Sequence, residues 1–453
     1  MGREVSMMEI LEAREARVSR QRALAVEYGL PLVSFTLNIA GPVKNSSVIR
    51  RAFREGMSRL SDALQTTRMT IRHQEEIDRH TGCETILAVQ GDPWAIKRLC
   101  VELEEEDSLG RLFDMDVLTP DGVKLGRADL GAESRRCLVC GKPGKGCASR
   151  RLHSTEELQR TTRDILQRFF AKKDAELIAG QAVRALLYEV CTTPKPGLVD
   201  RANNGSHQDM DIFTFMDSTA ALLPYFRQAV SIGQETAELP PGESFYRLRR
   251  AGLGAERAMF AATKGVNTHK GAVFSLGTAC AAAGRLWSPE TPLPAPEAIM
   301  TECAAMSKEA VEADFAAIQK QPIQTKGQRS FLDYGLRGVR GELAGGLPAV
   351  REIGLPALQA ALEGGAAREE AGAFTLTRLI GRVKDTNLIA RGGLEGQRWA
   401  ANAAAALGGA VPSREDLDAL DQAFIQRNLS PGGCADLLTL TYFFNFISEM
   451  SVF

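Results

Sequence analysis

"STEELQRTTRDILQRFFAKKDAELIAGQAVRALLYEV" (residues 154–190) marks a change in the texture of the chain. Ser154 and Glu157 stand at capping-box spacing, and the apolar residues that follow keep a helical period almost without interruption. Downstream, Ala- and Leu-rich helical segments alternate with loops marked by Gly and Pro, and strand signals are few. Upstream, helical and strand-like runs alternate. The pattern predicts a multidomain chain: an N-terminal α+β domain over residues 1–172 and an all-α domain over residues 173–453, with the quoted helix placeable in either half.

Composition narrows the class. The 453 residues exceed one ordinary core, and 44% hydrophobic with 25% charged residues is the balance of a globular protein. Lys and Arg number 55 against 56 Asp and Glu, so no basic excess exists to hold a nucleic-acid backbone. The charged start "MGREVSMMEILEAREARVSRQ" lacks the apolar core of a signal peptide, and the longest apolar run, "LTLTYFFNFI" (438–447), is far short of a membrane span. Nine scattered cysteines read as reduced thiols. A soluble, cytoplasmic protein with no nucleic-acid or membrane partner is expected.

In the first half, Ser6 and Glu9 open a charged helix that runs to Gly29. "PLVSFTLNIAGP" (31–42) reads as a strand, "SVIRRAFREGMSRLSDAL" (47–64) as a helix, and "CETILAVQGDPWAIKRLCVELEEE" (83–106) as strand, turn and helix. "LGRLFDMDVLTPDG" (109–122) reads as one arm of a hairpin whose return arm is "VKLGRADL" (123–130). In such a strand Phe113, Met115 and Val117 point one way, while Leu112, Asp114 and Asp116 point the other. The two carboxylates then lie about 7 Å apart along one face, which calls for either a metal ion or open water. Arg111 offers a guanidinium suited to phosphate. "GPVKNSSVIRR" (41–51) places Lys44, Ser46, Arg50 and Arg51 around a helix start, where free amides favour an anion, although a capped surface helix gives the same pattern. Cys137, Cys140, Cys147 and His153, spaced C-x2-C-x6-C-x5-H, make a complete tetrahedral Zn²⁺ set; a mobile loop of reduced cysteines is the alternative.

In the second half, four loops carry polar chemistry into apolar helices. "TTPKPGLVDRANNGSHQDMD" (192–211) holds Lys195, Asp200, Arg201, His207 and Asp209, and "GVNTHKGAVFSLG" (265–277) holds Asn267, His269 and Lys270. "VKDTNLIARGGLEGQRW" (383–399) offers Asp385, Asn387, Arg391, Gly392 and Gly393, and "RNLSPGGCADLLTLTYFF" (427–444) offers Asn428, Ser430 and Asp436. Together they meet the needs of a polyphosphate site on a helical scaffold, though each alone is equally a set of helix caps and turns.

Two resemblances sharpen this. "PLVSFTLNIAGPVKNS" followed by "LGRLFDMDVLTPDG" resembles the apo-citrate lyase phosphoribosyl-dephospho-CoA transferase family over residues 4–170. It implies a nucleotidyltransferase-like domain that loads a phosphoribosyl-dephospho-CoA unit onto a serine of the citrate lyase acyl carrier protein (the gamma subunit), releasing pyrophosphate. It also implies Mg²⁺ on Asp114 and Asp116. The family's pattern places His-Pro ahead of Leu-Gly-Arg, whereas this chain has Asp107-Ser108, which leaves the group that activates the carrier serine open. "TPKPGLVDR", "GVNTHKG", "DTN" with "RGG", and "RNLSPGGCADLL" resemble, in order and spacing, triphosphoribosyl-dephospho-CoA synthases over residues 175–445. That family joins ATP to 3′-dephospho-CoA and expels adenine. The chemistry calls for cations on the triphosphate, a base and a proton donor. The expected roles are phosphate contact by Lys195, Lys270 and Arg391, metal binding by Asp385 and Asp436 with Asp200 or Asp209 in reserve, and acid/base work by His207 and His269. The same chemistry serving malonate decarboxylase, and a non-catalytic carrier-binding protein, are the rival readings.

Overall fold

The computed structural model describes residues 2–142, 147, 150–318 and 326–450. They divide into two compact units: one reaches to Ala171 and takes in Pro289–Thr291, the other covers Lys172–Ser288 and continues from Pro292.

The first unit is a small antiparallel sheet with helices on both faces. Strands β1 (Leu32–Leu37), β2 (Thr70–Arg79), β3 (Gly82–Gln90), β4 (Phe113–Leu118) and the two-residue β5 (Lys124–Leu125) lie in the order β2-β3-β1-β4-β5. Helix α1 (Met7–Tyr28) starts at Ser6, where both reciprocal bonds of the capping box with Glu9 form, and stops at Gly29 in the left-handed region. Its Leu24 and Ala25 pack on Leu32, Ile86, Ala88 and Leu118. On the opposite face Phe35 stacks on Phe53 of α2 (Ser47–Thr66), centroids 4.9 Å apart, and meets the Phe113 ring edge-on at 5.4 Å. Helix α3 (Pro93–Glu105), capped by Asp92, sends the buried Lys97 Nζ to the Met115 carbonyl at 3.1 Å.

One strand of this half is not read from the sequence, and one reading needs adjustment. Strand β2 has no apolar stripe: its residues alternate between partial and full exposure, and it exists through pairing with β3 rather than through burial of its own. The arm expected over 123–130 pairs only at Lys124 and Leu125; Gly126 then donates to Asp129 and the chain enters a 3₁₀ turn, Ala128–Leu130.

The second unit is helical throughout its described residues. After α4 (Thr155–Cys191), inside which the division between units falls, come α5 (Ile212–Glu235), α6 (Pro241–Ala262), α7 (Lys270–Arg285), α8 (Pro296–Ile318), α9 (Lys326–Tyr334) and α10 (Gly338–Ala344). A π turn (Val350–Gly354) leads into α11 (Leu355–Glu363), followed by α12 (Arg368–Ile380), α13 (Thr386–Ala406), α14 (Arg414–Gln426) and α15 (Gly432–Glu449). Two helices are buried on every side, as core helices of a large helical domain must be: α7 from Ser275 to Gly284, and α15 from Leu437 to Ile447. The apolar run "LTLTYFFNFI" is therefore core, and no helix among the described residues is long and apolar enough to cross a membrane. Small residues set the helix spacing. A β-carbon on Gly233 of α5 would lie 2.0 Å from the Ala281 carbonyl oxygen of α7. Since that neighbour is backbone, Gly233→Ala is expected to force the helices apart at a cost of about 2–4 kcal/mol, read as a lowered thermal unfolding midpoint of the full chain.

Candidate active sites

In the first unit, β4 alternates as read from the sequence: Phe113, Met115 and Val117 are buried, while Asp114 and Asp116 are half-buried on the other face. Leu112 is buried too, but in the turn Gly110–Leu112 ahead of the strand. Register with β1 places Asp116 opposite Ser34 and Asp114 opposite Thr36. Lys124 Nζ is 2.6 Å from Asp116 Oδ2, and Arg135 Nη1 is 3.7 Å from Asp114 Oδ1. Arg135 also pairs at 2.8 Å with the buried Glu104, whose Oε1 accepts the Met115 amide. Burial and the neighbouring Asp116 raise Asp114 above the ordinary carboxylate range. Arg111 donates to the carbonyls of Arg136 and Cys137 at 2.9 Å each.

Lys44, Ser46 and Arg50 gather around the loop after β1. Lys44 donates to the Ile39 carbonyl and is lowered in pKa by burial, with Arg14 adding to the effect. Arg50 donates to Asn45 Oδ1 at 3.1 Å. Ser46 caps α2, and that helix start already meets an anion: Glu290, within the segment that this unit takes in, accepts from Ser46 Oγ and from Val48 N, each at 3.1 Å.

The second unit gathers its four motif loops. Lys195, 1% exposed, is ion-paired at 2.5 Å with buried Glu189 at the end of α4. Asp200 ties the Lys195 loop together, accepting from the amides of Lys195, Ala202 and Asn203. Arg391 donates to the Ser206 carbonyl and to Asn428 Oδ1, both at 2.9 Å, which joins the first, third and fourth motifs. Asp385 caps α13 through Asn387 N and Leu388 N and also accepts Cys434 N at 2.8 Å. Its burial raises its pKa. Gly392 faces Leu429, where a β-carbon would fall 2.6 Å from a methyl, and α13 kinks at Gly393. Arg201 instead pairs with Glu369 at the surface, Asn267 accepts the Lys270 amide, and Lys270 pairs with Glu256 at 2.9 Å.

Both histidines are lowered in pKa. His207 is held between Ser430 Oγ (2.9 Å from Nε2) and Arg391 (3.4 Å from Nδ1), with exposed Asp209 at 4.0 Å. Burial lowers its pKa, and the Arg391 charge lowers it further. His269, 4% exposed, meets Ser218 Oγ at 2.7 Å through Nδ1, while its buried Nε2 has no hydrogen-bond partner. Burial, reinforced by the Lys195 charge, pushes it down to about 3.

Asp436 completes the cluster. It stands over Gly271 so closely that a β-carbon there would lie 1.9 Å from Oδ2. Among the described residues no hydrogen-bond donor reaches its carboxylate. Burial, with Glu189 and Asp385 adding negative charge, pushes its pKa up to about 8. Of these carboxylates, Glu189 is committed to Lys195 and Asp385 to three backbone amides, so among the described residues Asp436 is the member left open to a cation. Glu189, Ser218, Glu104 and Arg135 were not singled out from the sequence: each lies outside the four motifs or the acidic pair and joins its site through tertiary packing alone.

Comparison with known proteins settles the relationship. The family model of apo-citrate lyase phosphoribosyl-dephospho-CoA transferase (CitX) matches residues 5–169, and that of ATP:dephospho-CoA triphosphoribosyl transferase (CitG) matches residues 175–452. The chain belongs to the ATP:dephospho-CoA triphosphoribosyl transferase family. Two relatives called protein CitXG align along almost all of this transferase: one from Leuconostoc mesenteroides subsp. cremoris, 35% identical over 98% of this chain and 97% of its own, and one from Haemophilus influenzae, 36% identical over 98% and 96%. A probable 2-(5''-triphosphoribosyl)-3'-dephosphocoenzyme-A synthase of Vibrio cholerae is 43% identical over 59% of this chain and 86% of its own. The chain is thus a transferase of citrate lyase prosthetic group biosynthesis, and it carries both family segments.

The raised pKa of Asp436 makes a linkage prediction for this transferase. A carboxyl group whose folded pKa lies above its unfolded value contributes stability below the unfolded pKa and loses it as pH rises through the folded value. In chelator, the thermal midpoint is expected to fall between about pH 4 and about pH 8. Asp436→Asn should flatten that fall. Equal pH profiles for both chains would contradict the raised pKa of Asp436.

Proposed function

We propose that the chain is bifunctional. Its second unit joins ATP to 3′-dephospho-CoA to give 2′-(5″-triphosphoribosyl)-3′-dephospho-CoA and adenine. Its first unit, a nucleotidyltransferase-like domain, transfers the phosphoribosyl-dephospho-CoA moiety to a serine of the apo citrate lyase acyl carrier protein with release of pyrophosphate. The observation that carries this reading is the meeting of four separated motifs around Lys195, His269, Asp385 and Asp436, in a chain whose relatives share both halves.

In the synthase step the bond between the ATP ribose C1′ and adenine breaks, and a bond from C1′ to the 2′-oxygen of dephospho-CoA forms. His269 is the acid/base candidate on geometry: it is buried, steadied at Nδ1 by Ser218, and presents an unpartnered Nε2. Lys270 and Arg391 supply positive charge for the triphosphate, with Asn387, Asn428, Ser430 and the Gly392–Gly393 backbone beside them; Lys195, expected to contact phosphate, is instead buried in its pair with Glu189. Arg201 and Asn267 line the same loops. Asp436 with Asp385 would hold Mg²⁺ in this unit, and Asp114 with Asp116 would hold it in the other. Bound there, the ion would neutralise charge on the phosphates. In the transfer step the carrier serine oxygen attacks the phosphorus that bears the ribose, and the bond to pyrophosphate breaks. Arg111 and Arg135 beside the acidic pair, with Lys44, Ser46 and Arg50 near the α2 start, suit the anionic substrate. The citrate lyase transferase segment favours that carrier over the malonate decarboxylase one.

Purified chain is incubated with ATP, dephospho-CoA and Mg²⁺, with and without apo acyl carrier protein, while adenine is followed by chromatography and carrier mass by spectrometry. Adenine is expected in both sets, and a mass gain only with carrier. Asp114→Asn and Asp116→Asn should each cut carrier loading by about 100-fold or more and leave adenine release intact. Asp436→Asn should do the reverse, with loading restored by pre-formed triphosphoribosyl-dephospho-CoA. No adenine from the wild-type chain would sink the synthase reading, and loss of both activities in an Asp114 variant would sink the division of labour.

A further inference from the structure

The stretch between the hairpin and α4 lacks a core. Among the described residues from Gly126 to Ile165, the buried apolar side chains are Cys137 and Cys147 alone. Yet this stretch holds a tight cluster: one ligand atom from each of Cys137, Cys140, Cys147 and His153 lies within 4.8 Å of the others. A segment with so little apolar burial needs another source of order, and closing a loop through a metal is the usual one.

The local geometry has the features of a thiolate knuckle. Gly141 N donates to the Cys137 carbonyl at 3.0 Å, and Gly141 takes φ of 69°, a left-handed conformation that lets the chain turn directly after the second cysteine. The Lys142 amide donates to the Cys140 sulfur, leaving that sulfur facing Cys147 at 3.5 Å. This is far beyond the ~2.05 Å of a disulfide and close to the ~3.8 Å edge of a tetrahedron with metal–sulfur bonds of ~2.3 Å. His153 supplies an independent sign. Its Nε2 is buried with no hydrogen-bond partner, while Nδ1 faces the Glu157 carboxylate at 3.7 Å. A carboxylate behind a histidine whose other nitrogen is free is the usual outer arrangement of a zinc ligand.

We propose that Cys137, Cys140, Cys147 and His153 form a structural zinc site that anchors the Arg135–Cys140 segment beside the acidic pair of β4. Three thiolates and one imidazole fill a tetrahedral shell and leave no position for water or substrate, so the ion orders the chain and takes no part in the chemistry. What it orders is specific. Arg111 donates to the carbonyls of Arg136 and Cys137, and Arg135 pairs with Glu104 and faces Asp114. Zinc therefore fixes a guanidinium at the Asp114 edge; the consequence for activity rests on the functional reading above, whereas the metal content does not.

The full chain, purified under reducing conditions without added metal, is expected to carry about one zinc ion per molecule by elemental mass spectrometry. After exchange it should take up Co²⁺ with the intense visible bands of a tetrahedral thiolate complex. Cys137→Ser and Cys147→Ser should each lower zinc content at least tenfold, while His153→Cys should retain it. With Mg²⁺ present, the zinc-poor variants should lose carrier loading and keep adenine release, which also shows that the second unit is folded. A wild-type chain that carries no zinc and takes up neither ion, or that holds iron there, would overturn the proposal. If zinc is bound but the wild-type chain loads no carrier, the functional reading falls and the zinc site stands.

Discussion

The buried ion pair between Glu189 and Lys195, 2.5 Å long, holds the end of α4 to the loop that gathers the motif residues of the helical unit. Neither charge reaches water, and an isolated charge at that depth would cost several kcal/mol, so each is held by the other. The pair lies where α4 ends and the Lys195 loop begins, and its charges act on the groups around it. The Lys195 charge adds to the burial that lowers His269, and Glu189 with Asp385 adds to the burial that raises Asp436. Removing either partner would leave an uncompensated charge in the wall of the site.

That arrangement depends on a scaffold that tolerates little movement. The helices α7 and α15, buried on all sides, deliver His269, Lys270 and Asp436 from their first turns. Glycines at the crossings let backbones touch, so the first turns stay fixed relative to one another. Asp385 contributes from a different direction: its three backbone amide bonds hold the α13 start against the α15 start. Much of the polar chemistry is thus spent on joining helix ends, and among the described residues no donor reaches the carboxylate of Asp436.

The first unit solves a similar problem with a sheet. Register against β1 places Asp114 and Asp116 on the face that α1 covers further along, so the pair sits at a margin between apolar packing and solvent. Arg135 and Lys124 balance it from outside the strand. Arg135 stands in a stretch with almost no apolar burial, which makes the cysteine and histidine cluster beside it part of the architecture of that edge.

Local periodicity was enough for α1, α2, α3, β1, β3, β4 and the helical character of the second half, because capping boxes, alternating burial and proline–glycine turns are written in neighbouring residues. The alternation that aims Asp114 and Asp116 to one side was legible for the same reason, as were the four motif loops. Strand β2 was not, since its order comes from hydrogen bonds to β3 and not from a buried stripe. Nor could sequence show that Glu189 and Asp385 would crowd Asp436, that Ser218 would steady His269, or that Glu290 would meet the Val48 amide at the α2 start. These depend on desolvation and on contacts between residues up to hundreds of positions apart. Spacing along the chain names candidate groups; burial and long-range contact decide their charge, partners and freedom to react.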